Sequence, residues 1–180
     1  MQPGDLDALT QQFSGRALPP VKDWQPTEER AIDMRIDRAG KWYYQGGLIA
    51  RERMVALFST VLRRDGEQYY LVTPGEKLAI EVEDAPFTVL LMTVSGSGRE
   101  QCLEFTDNTG HLFQADSDHP IWIETRDADG EPAPYVTVRD NLTALISRPV
   151  YYQLADLIEP ASGDPDSLGV WSNGSFFPLG

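Results

Sequence analysis

The sequence predicts an α+β fold of two small units, each built from antiparallel strands that pack against one main helix. Three observations support this class. The order of strand hairpin, helix and further strand occurs twice, turn residues followed by aromatic pairs recur in both halves, and a Gly-Ser-Gly stretch interrupts the chain between them. At 180 residues with 41% hydrophobic content, the chain is long enough to bury a core. We expect an N-terminal unit over residues 1–95 and a C-terminal unit over residues 96–180.

The N-terminal unit is expected to begin with a helical segment and a proline-rich arm. Apolar residues recur at helical spacing over residues 5–13, which predicts a short helix. Residues 16–26 are rich in proline and should be extended. We expect Trp24 to anchor this arm in a groove, because a tryptophan side chain buries a large area.

Alternating apolar and polar residues bounded by turn residues predict the strands of both units. In the first unit, strands are predicted at residues 32–36, 41–45, 68–73, 78–83 and 87–94. In the second unit, they are predicted at residues 101–106, 111–115, 121–124, 135–138 and 142–146, with a polar loop at residues 126–134. The recurring aromatic residues after the turns are expected to fill the core beneath the helices.

The two main helices are predicted from a repeated segment. Residues 48–62 place apolar side chains at the i, i+3, i+4, i+7 and i+8 spacing of an amphipathic helix. A second Ile-x-Arg segment precedes another such helix at residues 149–158, and an aromatic pair follows each helix. From Arg51 to Tyr69 is 18 residues and from Arg148 to Phe176 is 28, so we predict an inserted loop at residues 160–169.

The charge balance excludes several classes of function. The chain has 28 acidic and 15 basic residues, a net charge of −13, and no basic cluster beyond Arg63-Arg64. We therefore expect no nucleic-acid partner and no binding to anionic membranes. No apolar run is long enough to span a membrane, and the N-terminus lacks the pattern of a secretory signal. Together with the single cysteine, Cys102, this favours a cytoplasmic location.

Several motifs occur together in an order that resembles a known family. They include IDMRIDRAGKWYYQG, LRRDG, YYLVTPGEK, VEDAPF, SDHP, PYVTVRDNLTALISRPVYYQL and the closing GVWSNGSFFPLG. From about Pro20 to Gly180 the chain resembles the uncharacterised bacterial family DUF1285. The resemblance implies a two-part α+β protein with related structural motifs and a suggested role in signal transduction. It implies no established activity and no catalytic residue.

The candidate ligand-binding residues are an arginine at the start of each helix and nearby aromatic residues. Arg51 and Arg148 are predicted near the positive end of a helix dipole, where a cation is unfavourable by about 0.3–1 kcal/mol. Either an internal carboxylate binds each arginine, or the arginine and the helix N–H groups bind a phosphate or carboxylate ligand. We expect a small anionic ligand in the cleft between the units, with walls formed by the aromatic residues Trp42, Tyr44 and Trp171.

We therefore expect a non-catalytic regulatory or ligand-binding protein that needs no cofactor and no metal. One alternative is a module that presents an aromatic face to a protein partner. Another is a metal-dependent hydrolase that uses residues 116–119, where Asp116 and His119 could supply metal ligands. The spacing of these residues matches no established metal motif, so a turn is the simpler interpretation. Cys102 lies in an alternating strand, where a buried thiol is more common than a nucleophile.

Overall fold

The computed structural model describes residues 18–126 and 128–180. The predicted helix at residues 5–13 lies outside these described residues. The chain divides into two compact units, the first ending at Asp84 and the second beginning at Ala85. This division lies eleven residues before the predicted one at residue 95, because the strand that begins at Phe87 pairs within the second unit.

The described part of the first unit contains six strands and one α-helix. The strands are β1 (Glu28–Ile36), β2 (Trp42–Tyr44), β3 (Gly47–Leu48), β4 (Leu62–Asp65), β5 (Gln68–Val72) and β6 (Glu76–Val82). They form one sheet in the order β3-β2-β1-β6-β5-β4. The helix α1 (Glu52–Thr60) connects β3 to β4, and a short 3-10 helix at Val21–Asp23 precedes β1.

The first sheet is mixed, so the prediction of an antiparallel sheet is wrong at one position. β1 and β6 are parallel, whereas the other strand pairs are antiparallel. A parallel pair needs a long crossover connection. Here the connection between the two strands contains the β2–β3 hairpin, α1 and the β4–β5 hairpin.

The helix α1 confirms the predicted helix but is shorter than its apolar pattern. It begins at Glu52 and ends at Thr60, and it buries Phe58 against the ring of Trp42 at a centroid distance of 6.2 Å. The last apolar residue of the pattern, Leu62, is 1% exposed but already belongs to β4. The apolar periodicity therefore continues across a change from helix to strand.

The second unit contains nine strands and one α-helix in its described part. The strands are β7 (Phe87–Ser95), β8 (Cys102–Asp107), β9 (Leu112–Gln114), β10 (Ile121–Arg126), β11 (Glu131–Arg139), β12 (Leu142–Ile146), β13 (Glu159–Ala161), β14 (Asp164–Ser172) and β15 (Ser175–Pro178). The first six form a sheet in the order β10-β11-β12-β7-β8-β9, and the last three form a smaller sheet. The helix α2 (Arg148–Ala155) follows β12.

Three details of the second unit differ from the sequence prediction. β12 and β7 are parallel, so the larger sheet is mixed. The predicted polar loop at residues 126–134 is too long, since β10 continues to Arg126, β11 starts at Glu131, and residues 128–130 form a turn. The predicted inserted loop at residues 160–169 is wrong, because β13 and β14 form an antiparallel hairpin there. Both of these segments contain proline, which is compatible with strand positions that need no N–H donor.

The repeated segment has the same order in both units but different surroundings. β3, which precedes α1, is at the edge of its sheet, whereas β12, which precedes α2, lies between β11 and β7. After α1 the hairpin joins the six-stranded sheet, whereas after α2 the strands form the separate small sheet. The similarity therefore extends to a helix followed by an antiparallel hairpin. Neither helix in the described ranges has the length and apolar composition needed to cross a membrane.

Candidate ligand-binding site

The structure places three of the predicted ligand-binding residues in the first unit. Arg51 is exposed at the N-cap of α1, where its carbonyl accepts hydrogen bonds from the helix but its side chain makes no capping bond. Trp42 is 1% exposed and packs on Phe58, so it belongs to the core. Tyr44 is half-buried in β2, and its hydroxyl accepts a hydrogen bond from Gln45 Nε2 at 3.2 Å.

The other two predicted residues lie in the second unit. The side chain of Arg148 is 71% exposed at the start of α2. Trp171 is 7% exposed in β14, where its ring contacts Phe176 and the guanidinium of Arg99 at centroid distances of 5.1 and 4.9 Å. Trp171 therefore serves mainly to pack the small sheet.

A cavity of about 320 Å³ in the second unit includes one of these five residues, Arg148. It is lined by the end of β10 at Arg126, by residues 131–134 of β11, and by residues 145–148 and 151–152 around the start of α2. The floor is apolar, since Ala133 and Ile146 are 3% and 2% exposed. The cavity thus combines an apolar floor with arginine at its edge.

Strand pairing explains why a cavity forms here. β11 pairs with β12 only from Tyr135 onward, so Pro132 and Pro134 pair with β10 alone. Proline has no N–H group, so Pro132 and Pro134 could not donate hydrogen bonds to β12 if that strand continued beside them. On that side the chain leaves the sheet at Ser147, whose N–H donates to the Val89 carbonyl at 3.1 Å, and enters α2. The space beside the proline segment therefore remains unfilled.

Two arginines and one glutamate set the charge of the cavity. Arg148 Nη2 donates to Glu131 Oε1 at 2.9 Å, and both side chains are about two-thirds exposed, at 71% and 67%. Such an exposed ion pair contributes little to stability and can exchange partners. Arg126 is half-buried, and its Nε donates to the Tyr135 hydroxyl at 3.0 Å. Arg126 is thus fixed in place by the protein, whereas Arg148 is held weakly.

The residue before α2 provides a further polar group. Ser147 occupies the N-cap, yet its side chain makes no capping hydrogen bond. Its Oγ is buried and has no hydrogen-bond partner among the described residues. A serine at this position normally accepts a hydrogen bond from an N–H of the first turn, and one of these groups is absent at Pro149.

Residues 116–119, which were considered for a hydrolase, form a hydrogen-bonded turn. Asp116 Oδ1 accepts hydrogen bonds from Asp118 N at 2.9 Å and from His119 N and Nδ1 at 2.9 and 2.8 Å. Burial raises the pKa of Asp116, but these hydrogen bonds outweigh it, so the pKa lies below its ordinary value. Within residues 18–126 and 128–180, no three His, Cys, Asp or Glu side chains are arranged to hold a metal ion.

Sequence reasoning found Arg148 but missed the rest of the cavity. Arg126 and Glu131 lay in the predicted polar loop, so nothing placed them on paired strands beside α2. Tyr151 and Tyr152 fall within the predicted second helix, but nothing in the sequence placed them beside a cavity. The available signal was the Pro-Ala-Pro segment directly before an apolar strand, which is typical of an edge or of an unpaired stretch.

Comparison with known proteins gives two family matches and two structural neighbours. Residues 19–85 match the DUF1285 N-terminal domain, a domain of unknown function, and residues 86–179 match the DUF1285 C-terminal domain, from a protein of unknown function. A comparison with curated protein sequences finds no significant match.

Both structural neighbours are crystal structures of DUF1285 family proteins. The protein from Silicibacter pomeroyi DSS-3 is 46% identical with a TM-score of 0.89, and the match covers 97% of this chain and 93% of that one. The protein from Shewanella baltica OS155 is 23% identical with a TM-score of 0.55, covering 68% of this chain and 90% of that one. The second match, at this low identity, concerns the fold alone.

Proposed function

Since the chain belongs to the DUF1285 family, whose domains are described as having unknown function, we propose a function from the geometry of its second unit. The protein is a non-catalytic regulatory protein that binds a small anionic ligand. One observation carries this proposal: the cavity where Arg126 and Arg148 meet an apolar floor at the start of α2. The sequence suggested a ligand between the two units, whereas the proposal now rests on a cavity within the second.

Two features of the cavity support an anionic ligand, and its volume suits a small one. Arginine forms paired hydrogen bonds with carboxylates and phosphates. The start of a helix carries partial positive charge, which favours an anion nearby. A volume of about 320 Å³ falls at the lower end of the range of about 300–1,000 Å³ that is usual for small-molecule sites.

The lining favours binding over catalysis. Its hydroxyl groups come from Ser147, Tyr151 and Tyr152, and the described lining residues include no histidine or cysteine. A hydroxyl nucleophile needs an adjacent base within hydrogen-bond reach, and Glu131 is instead paired with Arg148 at 2.9 Å. We keep the cytoplasm as the proposed location and signal transduction as the proposed context.

The test is ligand binding by the full chain and by two matched arginine variants. Small carboxylates and phosphates are screened by thermal shift, and hits are titrated by calorimetry. We expect Arg148→Ala to weaken binding of a hit about tenfold or more, since a charged hydrogen bond contributes about 1.5–3 kcal/mol. Arg51→Ala changes the same residue type at the start of α1, and we expect it to bind normally.

Either of two results would contradict the proposal. If Arg148→Ala binds a hit as tightly as the wild type does, the site lies elsewhere. If no carboxylate or phosphate binds, the proposal of an anionic ligand is wrong. Both arginines are exposed, so both variants should fold, which circular dichroism and the melting temperature check. If Arg51→Ala alone abolished binding, the ligand would belong to the first unit.

A second candidate function, interaction with a protein partner, is favoured by exposed apolar residues on the larger sheet of the second unit. Leu91 and Leu112 are 64% and 59% exposed and share one face, because both pair with Thr106. These residues are aliphatic, whereas the sequence suggested an aromatic face. Sedimentation of the wild type and of Leu91→Lys tests whether this face mediates self-association, and a wild-type monomer at all concentrations counts against it.

A further inference from the structure

We infer that the cavity prefers a small monocarboxylate with an apolar body, and that Glu131 sets this preference over more highly charged anions. The inference rests on the proposed function and names the class of ligand. It depends on three properties of the cavity: its charge, the exchangeable ion pair at its edge and its apolar walls.

The charge of the cavity matches a single negative charge. The described lining contains two arginines, Arg126 and Arg148, and one carboxylate, Glu131. Its net charge is therefore one positive unit, in a chain whose overall charge is −13. A ligand with two or three negative charges would carry charge that no lining group compensates, against the field of the whole chain.

The Arg148–Glu131 pair explains how a carboxylate ligand enters. Glu131 Oε1 accepts a hydrogen bond from Arg148 Nη2 at 2.9 Å. The Glu131 carboxylate therefore already makes one of the hydrogen bonds to Arg148 that a ligand carboxylate would make. Because both side chains are largely exposed, solvent weakens their attraction. A ligand carboxylate can take over the guanidinium with two parallel hydrogen bonds. Glu131 then remains nearby as a negative charge, which disfavours further charge on the ligand.

The walls of the cavity suit an apolar body. Pro132, Pro134 and Leu145 line it from the two strands, and Tyr151 lines it from α2. Burying apolar ligand surface against such side chains is favourable. A cavity of about 320 Å³ accommodates a ligand of the size of benzoate and is small for a nucleotide. Inorganic phosphate would leave the apolar walls without a partner.

The test compares three probes on the full chain at pH 8 and constant ionic strength. Benzoate carries one negative charge, phenyl phosphate presents the same ring with about two, and inorganic phosphate lacks the ring. We expect calorimetry to detect benzoate binding, phenyl phosphate to bind about fivefold more weakly, and inorganic phosphate not to bind. The factor of about five corresponds to one pair of like charges at 4 Å in water.

Two conservative variants assign the preference to Glu131. Glu131→Gln should bind phenyl phosphate as well as it binds benzoate, because the repelling charge is gone while the side-chain shape remains. Glu67→Gln removes one negative charge from a side chain in the first unit that is 97% exposed, and it should keep the wild-type preference. The melting temperatures of both variants check that they fold.

The outcomes separate this inference from the proposed function. If phenyl phosphate or inorganic phosphate binds as tightly as benzoate, and Arg148→Ala abolishes that binding, the monocarboxylate preference is overturned while the anion site stands. If Glu131→Gln and the wild type show the same preference, the role of Glu131 is overturned. If none of the three probes binds and the wider anion screen is also negative, both the inference and the proposed function are overturned.

Discussion

Ser172 shows how a single buried polar side chain joins two sheets of the second unit. It is 0% exposed at the end of β14. Its Oγ donates to the Ala115 carbonyl at 2.7 Å and accepts from the Leu103 N–H at 2.9 Å. These bonds connect the small sheet to β8 and to the residue after β9. Buried backbone groups must find partners, so this serine satisfies two of them at once.

We predict that Ser172→Ala destabilises the protein by about 1–3 kcal/mol, because the buried Leu103 N–H loses its Ser172 acceptor. The Ala115 carbonyl still accepts a hydrogen bond from Asn173 Nδ2 at 2.9 Å. Chemical denaturation of the wild type and the variant measures the change in the free energy of unfolding. Ser175→Ala is the matched control, since Ser175 is half-buried on β15 directly opposite Ser172. Equal effects of the two substitutions would show that the Ser172 hydrogen bonds add nothing.

The sequence patterns predicted which side chains are buried better than they predicted which residues form hydrogen bonds with each other. The aromatic residues after turns were expected in the core, and Trp42, Tyr70 and Phe177 are 1%, 7% and 5% exposed. Alternation reports which side of a strand is apolar, so burial can be predicted from it. The partners of Ser172 could not be predicted, because Leu103 and Ala115 are 69 and 57 residues away and nothing local specifies such contacts.

At the scale of elements, one arginine attaches the proline-rich arm to the first sheet. Arg63 in β4 has a side chain that is 15% exposed. Its Nη1 donates to the carbonyls of Val21 and Trp24 at 2.9 and 2.8 Å, and its Nη2 donates to Asp65 at 2.9 Å. The sequence suggested the ring of Trp24 as the anchor of the arm. Trp24 is half-buried, and its backbone carbonyl accepts the hydrogen bond from Arg63.

We predict that Arg63→Met releases the arm. Hydrogen bonds to charged groups contribute about 1.5–3 kcal/mol, so local opening of the arm should increase about tenfold or more. Lys22 is exposed within the arm, and cleavage by endoproteinase Lys-C at this residue, followed by mass spectrometry, measures the opening.

Arg64→Met is the matched control for this experiment. Arg64 donates hydrogen bonds to the Gly66 carbonyl at 3.0 Å and to Glu67 Oε2 at 3.2 Å, both within the turn that follows β4. Cleavage after Lys22 should therefore stay near the wild-type rate in this variant. Equal cleavage of Arg63→Met and wild type would mean that other contacts hold the arm.

The elements themselves show where local patterns stop being informative. Both main helices and most strands follow from periodicity, but the parallel pairs β1–β6 and β12–β7 do not. Parallel pairing joins distant segments, and its register depends on the whole connection between them. The candidate cavity was missed for the same reason. It forms because the pairing of β12 with β11 ends at Leu145, and the composition of neither strand determines where that pairing ends.

At the scale of the whole molecule, acid acts on stability through groups that bind protons differently in the folded and unfolded states. Burial lowers the pKa of His111, an effect that Arg139 and His119 reinforce and that Asp107 opposes. The pKa of Asp65 is also lowered, since ion pairs with Arg63 and Lys77 outweigh the opposing effect of burial. Asp116 behaves similarly through its hydrogen bonds. In all three cases the folded state disfavours the protonated form.

We predict a decrease of stability with acid in two steps. Below about pH 6.5, the ordinary pKa of histidine, the unfolded chain binds a proton at position 111 that the folded chain does not, so stability falls as the pH decreases toward the lowered pKa of His111. The carboxylates contribute stability above about pH 4 and lose it as the pH falls through their lowered pKa values. Urea denaturation between pH 8 and pH 3 measures both steps.

The first step can be assigned to His111 because the overall charge hardly changes in that window. Most of the 28 acidic residues stay ionised above about pH 5.5, so the self-repulsion of a chain with net charge −13 is relieved only at lower pH. His111→Gln should therefore flatten the profile between pH 7.5 and 5.5 and leave the lower step in place. If the variant and the wild type lose stability equally in this window, burial of His111 is not the cause of the first step.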